Sequence, residues 1–266
     1  MPTEWMTRRF IIFALSLIML PLLMFAYPNG APDGFSGAPG EGTCQTCHAN
    51  GPDDGALEIL GVPSSYTPYQ FCTLTVRLQD SGQDRWGFQL TAVDADGNGV
   101  GTFTVTDAVN TLLSDNTSPG RDYMKQTTSG TFSGTAGGPV EWSFLWQAPA
   151  TGAGQVTFYA AGNASVAGGG VSGNNYVTSA ESEYESCCAP PFRGNVDNIV
   201  GPAGPVDVSD LTYLVAYLFS GGAEPPCIDE GNIDGIIGPA GPIDVSDLTY
   251  LVAYLFSGGP DPAACP

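Results

Sequence analysis

The sequence predicts a mainly β protein with a small α-helical domain at its C-terminal end. Its composition of 36 glycines and 22 prolines among 266 residues, with only 13% charged residues, is typical of turn-rich β structure. Short alternating segments bounded by Gly, Pro, Asp and Asn fill residues 27–186. A tandem repeat near the C-terminus holds the convincing amphipathic helices. We therefore expect three parts: residues 1–26, 27–186 and 187–266.

The first part, residues 1–26, has the features of an export signal. Arg8 and Arg9 precede an apolar run over residues 10–25, and Ala26 ends it before a polar, Gly/Pro-rich stretch. We expect cleavage after Ala26, no membrane insertion afterwards, and a secreted, cell-surface or periplasmic protein. The alternative is an uncleaved anchor, because the run approaches the length of a membrane span.

A Cys-x-x-Cys-His motif follows at Cys44, Cys47 and His48. This is the attachment spacing for haem c, in which both thiols form thioethers with the haem vinyl groups and the imidazole becomes an axial ligand of the iron. His48 is the only histidine in the chain. Haem c is therefore the first predicted cofactor. The alternative is a disulfide beside an incidental histidine.

Residues 27–186 contain enough strand-like segments for one antiparallel β-sandwich, and their length suffices for one core. The candidate strands are residues 56–60, 71–78, 86–93, 101–105, 140–146 and 155–160. The aromatic residues expected in the core are Trp86, Phe88, Trp142, Phe144, Trp146, Phe158 and Tyr159.

Residues 194–222 and 231–259 are nearly identical copies placed 37 residues apart. They differ at Val196/Ile233, Asn198/Gly235, Val200/Ile237 and Val206/Ile243. Such identity indicates a recent tandem duplication.

Each copy consists of an oxygen-rich loop followed by a predicted helix. The apolar positions of the first helix have helical spacing: Leu211, Leu214, Val215 and Leu218. Asp207 is placed to cap its start, and Gly221 and Gly222 are placed to end it. Because helices of about ten residues are marginal alone, we expect the two copies to bury these faces against each other.

The repeated Gly-Asn-x-Asp opening and the Asp-Val-Ser-Asp-Leu-Thr-Tyr-Leu-Val closing sequence resemble the duplicated loop–helix unit of type I dockerins. The resemblance covers residues 192–266 and implies calcium as a second cofactor and a cohesin-like protein as docking partner. By position it implies as ligands Asn195, Asp197, Asp207 and Asp210 in the first loop, with Asn198 as an additional candidate, and Asn232, Asp234, Asp244 and Asp247 in the second.

Each loop also departs from that pattern. It begins with Asn where the family usually has Asp, and Gly/Pro-rich stretches at residues 201–205 and 238–242 replace an expected oxygen ligand. Fewer carboxylates predict weaker calcium affinity. The alternative is a metal-free helical pair.

Four cysteines flank the copies: Cys187, Cys188, Cys227 and Cys265. Because dockerin-like modules bring their ends together, the resemblance implies that Cys187 or Cys188 pairs with Cys227 or Cys265. Spacing alone does not decide the connectivity. If haem takes two cysteines, Cys72 brings the remainder to an odd number, which leaves one unpaired.

A second resemblance rests on residues 27–32, on the Gly-Ala-Pro-Gly-Glu-Gly-Thr stretch leading into Cys44, and on residues 142–149 and 156–163. These stretches resemble the reelin-type (reeler) domain, and more closely its bacterial relatives that carry Cys-x-x-Cys-His near the N-terminus. The resemblance implies an immunoglobulin-like β-sandwich on an exported, surface-associated protein. Animal reeler domains lack the motif, so the fold alone does not imply haem.

Met124 is the only methionine after residue 26 and therefore a candidate for the second axial ligand. His/Met ligation would raise the reduction potential relative to bis-histidine ligation. The alternatives are an open or water-bound site, a ligand from another residue or chain, and Met124 as a packing residue.

Charge and composition exclude other classes of function. A net charge of −20 makes nucleic acid and anionic membranes poor partners. With one histidine, no nucleophile–base pair can be assembled, so we expect no enzyme.

The leading hypothesis is an exported protein that carries one haem c for electron transfer or redox sensing, exchanges electrons with a redox partner, and docks through its C-terminal module. One alternative is a haem-free extracellular adhesion or scaffold protein. A weaker one is an accessory component of a polysaccharide-degrading assembly.

Overall fold

A computed structural model describes residues 27, 29–49, 54–117, 120–150, 152–168, 172–238 and 241–266. The predicted export signal lies outside these residues. The strands are β1 (Ala56–Leu60), β2 (Ser65–Tyr66), β3 (Phe71–Gln79), β4 (Arg85–Val93), β5 (Thr102–Thr104), β6 (Thr111–Thr117), β7 (Arg121–Gln126), β8 (Val140–Gln147), β9 (Val156–Ser165) and β10 (Asn174–Tyr184). The α-helices are α1 (Val208–Ser220), α2 (Ile228–Gly231) and α3 (Val245–Ser257).

The ten strands form two sheets, which confirms the mainly β fold class. One sheet has the order β1-β3-β8-β5 and the other the order β2-β10-β9-β4-β7-β6. Pairings between these strands are antiparallel, except that the short β2 runs parallel to β10. β4 therefore lies in the interior of the larger sheet, between β9 and β7.

Alternation of apolar and polar residues places the core between the sheets. In β8, Trp142 and Trp146 are buried while Glu141 and Ser143 point outward. The Trp142 ring lies 4.6 Å from that of Phe88 in the facing sheet, measured between centroids. The core role predicted for the aromatic residues is confirmed for all but Tyr159, which is half-buried because it alternates with the buried Phe158 along β9.

The two repeat copies pack on each other through a second core, as expected. Its buried members are Val196, Leu214, Ile228, Ile233, Ile243 and Leu251. Asp207 and Asp244 cap α1 and α3, and Gly221 and Gly258 end them at φ angles of 65° and 64°, where glycine avoids strain. Val215, predicted on the buried face of α1, is instead 39% exposed.

Two disulfides and a polar cluster join the helical module to β10. Cys187 is bonded to Cys227 and Cys188 to Cys265, which agrees with the pairing implied by the dockerin resemblance. Tyr184, the last residue of β10, donates a hydrogen bond to Asp229 Oδ2 at 2.5 Å. Disulfides are typical of proteins from oxidising compartments. Across the described ranges, no helix is long and apolar enough to span a bilayer.

Candidate functional site

The Cys-x-x-Cys-His motif forms a compact turn. Cys44–Thr46 is a single 3-10 turn whose start is capped by the Thr43 hydroxyl. The backbone N–H groups of Cys47 and His48 both donate to the carbonyl oxygen of Cys44, at 3.2 and 3.0 Å. This turn lets all three motif side chains line one cavity.

Buried ion pairs hold the motif-bearing segment, residues 29–49, on the larger sheet. Arg121 Nη1 in β7 lies 2.5 Å from Glu41 Oε1, and these side chains are 6% and 4% exposed. Tyr123 donates a second hydrogen bond to the same Glu41 oxygen at 2.7 Å. Lys125 forms a further buried ion pair with Asp33. The segment is therefore fixed at two points along β7.

A cavity of about 300 Å³ lies between this segment and the sheet. The motif residues line it together with Phe35 from the segment and Trp86 and Phe88 from β4. Gly87 also lines the cavity, and its lack of a side chain leaves room for the Gln126 amide. A Cβ atom at this position would lie only 3.0 Å from Gln126 Nε2.

Gln126 explains why the sheet opens at this point. The β4–β7 ladder contains only the Gln89–Lys125 and Leu90–Met124 pairs. Beyond them, the backbone N–H of Phe88 donates to the side chain of Gln126 at 2.9 Å, in place of a backbone acceptor. Gln89 meanwhile holds the segment, because its amide bonds both Phe35 N and Pro32 O.

Burial favours the neutral forms of two motif groups, the Cys44 thiol and the His48 imidazole. Burial raises the pKa of the Cys44 thiol to about 12, although the residue as a whole is only half-buried. Burial lowers the pKa of His48, against an opposing backbone hydrogen bond with Ser172. Its Nδ1 is buried and has no hydrogen-bond partner among the described residues. Neutral imidazole is the form that ligates metals.

Both motif cysteines, like the buried Cys72, are free thiols. Among the described residues, the groups with three metal-ligand atoms within 4.8 Å of one another are Cys187, Cys227 and Asp229, and Cys188, Glu230 and Cys265. The motif is not among them, so its thiols and imidazole do not converge on one point as the ligands of a single ion do.

The structure does not bring Met124 to this cavity. Met124 is fully buried in the sandwich core, because it alternates along β7 with Tyr123 and Lys125, whose side chains reach the motif-bearing segment. Its placement is that of a packing residue.

Sequence reasoning missed the residues that shape the cavity and fix its cover, notably Gln126, Gln89 and the Arg121–Glu41 pair. One signal was available. Basic residues are rare in this acidic chain, yet two of the seven lie four residues apart at Arg121 and Lys125.

The second candidate site is the pair of repeat loops, loop 1 (residues 195–210) and loop 2 (residues 232–247). The side-chain oxygens Oδ1 of Asn195 and Asn232 are buried and have no hydrogen-bond partner within the described part of the chain, and the two residues are 7% and 4% exposed. A buried unpaired amide oxygen is costly unless it has a ligand. Calcium binds such oxygens, so these residues fit the ion.

Hydrogen bonds link the carboxylates of loop 1 to one another. Asp210 accepts hydrogen bonds from the backbone N–H groups of Asp197 and Asp207, at 3.1 and 2.8 Å. The Ser209 hydroxyl lies 2.7 Å from Asp197 Oδ2 and 2.8 Å from Asp207 Oδ1. Burial raises the pKa of Asp210 to about 6.

Loop 2 repeats this arrangement. Asp247 accepts from the backbone of Asp234 and Asp244, Ser246 bridges those two carboxylates, and burial raises the pKa of Asp247 to about 6. In both loops the predicted residues are neighbours, but no loop contains three acids whose oxygens all lie within 4.8 Å in the described structure.

No protein-family model and no curated protein matches the chain. A human F-spondin reeler domain is similar in structure, with 20% sequence identity and a TM-score of 0.36. The match covers 52% of this chain and 93% of the reeler chain. A cohesin module from a Clostridium perfringens family 33 glycoside hydrolase is 6% identical, with a TM-score of 0.36. The match covers 49% of this chain and 95% of the cohesin chain. A third similar structure is the sixth cohesin of Acetivibrio cellulolyticus scaffoldin B, which was solved with a Cel5 dockerin. It is 16% identical, with a TM-score of 0.33, and the match covers 50% of this chain and 100% of the cohesin chain. Values of this size assign no family.

Proposed function

We propose that this is an exported, non-enzymatic protein that carries one covalent haem c for electron transfer or redox sensing and docks through a calcium-dependent C-terminal module. The observation that carries the haem assignment is the cavity: two free thiols and the sole imidazole, with Nδ1 unpartnered, line an apolar space of about 300 Å³.

Different residues of the chain would attach the haem, ligate its iron and shield it from water. Cys44 and Cys47 would hold the group by adding their S–H across its two vinyl groups, which needs no oxidant. His48 would supply the axial imidazole. Phe35 would help to exclude water, which raises the reduction potential. The haem supplies the one-electron chemistry. The acidic surface favours a redox partner with a basic patch.

The docking proposal rests on the surface of the helical module. Val215 and Phe219 on α1 are 39% and 61% exposed, and Val252 and Phe256 on α3 are exposed to the same extents. These equivalent apolar positions suit a protein partner of the cohesin-like kind. They also favour the second candidate function, a haem-free adhesion or scaffold protein, including an accessory component of a polysaccharide-degrading assembly.

The decisive experiment separates these two functions. We expect the full chain, made in a host with haem c maturation, to show a Soret band that survives denaturation. The double variant Cys44→Ser/Cys47→Ser should lose covalent haem, and His48→Ala should keep it with altered iron ligation. Cys72→Ser is the matched control, because Cys72 is also a free cysteine but does not line the cavity. Wild-type protein without a Soret band would leave the adhesion function in place.

A further inference from the structure

The two repeat copies are preceded by residues of opposite charge. Arg193 stands directly before the first copy and Glu230 directly before the second, at equivalent positions 37 residues apart. The copies themselves are almost identical, so this reversal is the largest electrostatic difference between them. It leaves two loops with nearly the same ligands in different surroundings.

The contacts of these two residues cross between the copies. Glu230 is 4% exposed, and its Oε2 accepts a hydrogen bond from the backbone N–H of Asn195, the first residue of loop 1, at 3.0 Å. Arg193 Nη1 donates to the backbone carbonyl of Asn232, the first residue of loop 2, at 3.1 Å. Each charge therefore touches the main chain of the first candidate ligand in the other copy.

These contacts matter because Asn195 and Asn232 carry the buried, unpartnered oxygens. A carboxylate beside loop 1 attracts a cation bound there, whereas a guanidinium beside loop 2 repels one. Burial weakens the screening of such interactions by water and salt.

The hydrogen bonds of Glu230 and Arg193 are to backbone groups. The ion pairs within the described residues include neither Arg193 nor Glu230. The other oxygen of Glu230 accepts the backbone N–H of Ala189 at 2.8 Å. The nearby carboxylate of Asp229 is turned toward β10, where it accepts hydrogen bonds from Tyr184 and Ser186.

We propose that Glu230 and Arg193 make the two calcium sites unequal, so that loop 1 binds calcium about tenfold or more tightly than loop 2 and fills first. This inference rests on the proposed calcium binding. Glu230 and Arg193 are positioning residues, since neither supplies a ligand oxygen.

Calorimetric titration of the oxidised full chain with calcium chloride, after chelator removal, tests the proposal. Wild type should bind two ions with affinities at least about tenfold apart. Asp247→Asn, which weakens loop 2, should retain the tight site, and Asp210→Asn should retain the weak one. Equal affinities in these two variants would overturn the inference while leaving calcium binding intact. Absence of binding in wild type would overturn both.

A second substitution in each of these variants tests whether the charges of Glu230 and Arg193 cause the difference in calcium affinity. In the Asp247→Asn background, Glu230→Gln should weaken the remaining site about tenfold, because the single amide oxygen can still accept from Asn195 N–H while the charge, and one of the two hydrogen bonds, is lost. In the Asp210→Asn background, Arg193→Gln should strengthen the remaining site, and Glu230→Gln should change it less than about threefold. Equal weakening of both loops by Glu230→Gln would indicate a general structural role and refute the proposal.

Asn198→Gly in the Asp247→Asn background is the matched control for ligand number, because Gly235 occupies this position in loop 2. We expect loop 1 to remain the tighter site in this variant. If the substitution alone made the loops equal, the extra amide rather than Glu230 would be the cause, and the proposal would be wrong.

Discussion

At the scale of single residues, the cavity depends on charges that have been taken out of water. The Arg121 guanidinium donates to Glu41 and to the carbonyl of Pro39, both in the motif-bearing segment, and to the carbonyl of Gly97 in the loop between β4 and β5. Removing one partner of such a pair leaves the other charge buried and unpaired, which costs far more than a surface pair is worth.

Arg121→Met should therefore destabilise the sandwich by about 3–5 kcal/mol, as measured by chemical unfolding with the disulfides intact. Arg77→Met is the matched control, because the side chains of its Arg77–Glu141 pair are 37% and 51% exposed. It should cost at most about 1 kcal/mol. The double variant Arg121→Met/Glu41→Leu should recover part of the stability lost in Arg121→Met. If Arg121→Met and Arg77→Met lowered the free energy of unfolding by similar amounts, the buried pair would not be the cause.

At the scale of elements, each repeat loop contains a buried carboxyl group whose ionisation is unfavourable. Asp210 is fully buried, and burial raises its pKa from 3.8 to about 6. Asp247 behaves in the same way. A carboxyl whose pKa is raised by folding binds more protons in the folded state than in the unfolded chain. Its contribution to stability is therefore complete below about pH 4 and lost as the pH rises through about 6.

Without calcium, the melting temperature of the helical module should therefore rise as the pH is lowered from 7 to 5 in the presence of EDTA. Saturating calcium should remove or reverse this trend, because the ion requires deprotonated carboxylates. Circular dichroism of the full chain provides the measurement, and Asp210→Asn/Asp247→Asn should flatten the difference between the two conditions. The same slope with and without calcium would show that these carboxylates do not bind the ion.

The elements differ in how well the sequence predicted them. β1, β3, β4, β5, β8 and β9 follow from alternating apolar residues, and the capped helices follow from the repeat. β6, β7 and β10 were missed because their polar residues mask the alternation. In β7, Arg121 and Lys125 are polar but buried beneath residues 29–49, a tertiary contact that no local pattern encodes.

The candidate sites were predictable to the extent that their residues are adjacent in sequence. The spacing of Cys44, Cys47 and His48 located the motif, and the repeat located both loops. The cavity depends on contacts between distant residues, such as Gln126 with Phe88 and Gln89 with Phe35. Those contacts arise only when the strands have paired, so the role of Gln126 and the core position of Met124 were not available from spacing.

At the scale of the whole molecule, the junction between sandwich and helical module is covalent as well as polar. The Cys188–Cys265 disulfide closes a loop with a sequence separation of 77 residues, which contains both repeat loops and all three helices. Small modules with modest cores commonly depend on such cross-links.

Cys188→Ala/Cys265→Ala should therefore destabilise the helical module by about 2–5 kcal/mol, mainly through the entropy gained by the unfolded chain. The sandwich, whose core is separate, should melt as in wild type. Calorimetry of the full chain distinguishes the two transitions, and calcium should restore part of the loss. A single transition lowered as a whole would show that sandwich and module unfold together.

The same bond has a consequence for resistance to proteolysis. A single cut anywhere in residues 189–264 leaves both fragments attached, since each still contains one cysteine of the Cys188–Cys265 bridge. Such a nicked chain would run intact on a non-reducing gel and separate only after reduction. The helical module would therefore stay connected to the sandwich after the backbone between them had been cleaved.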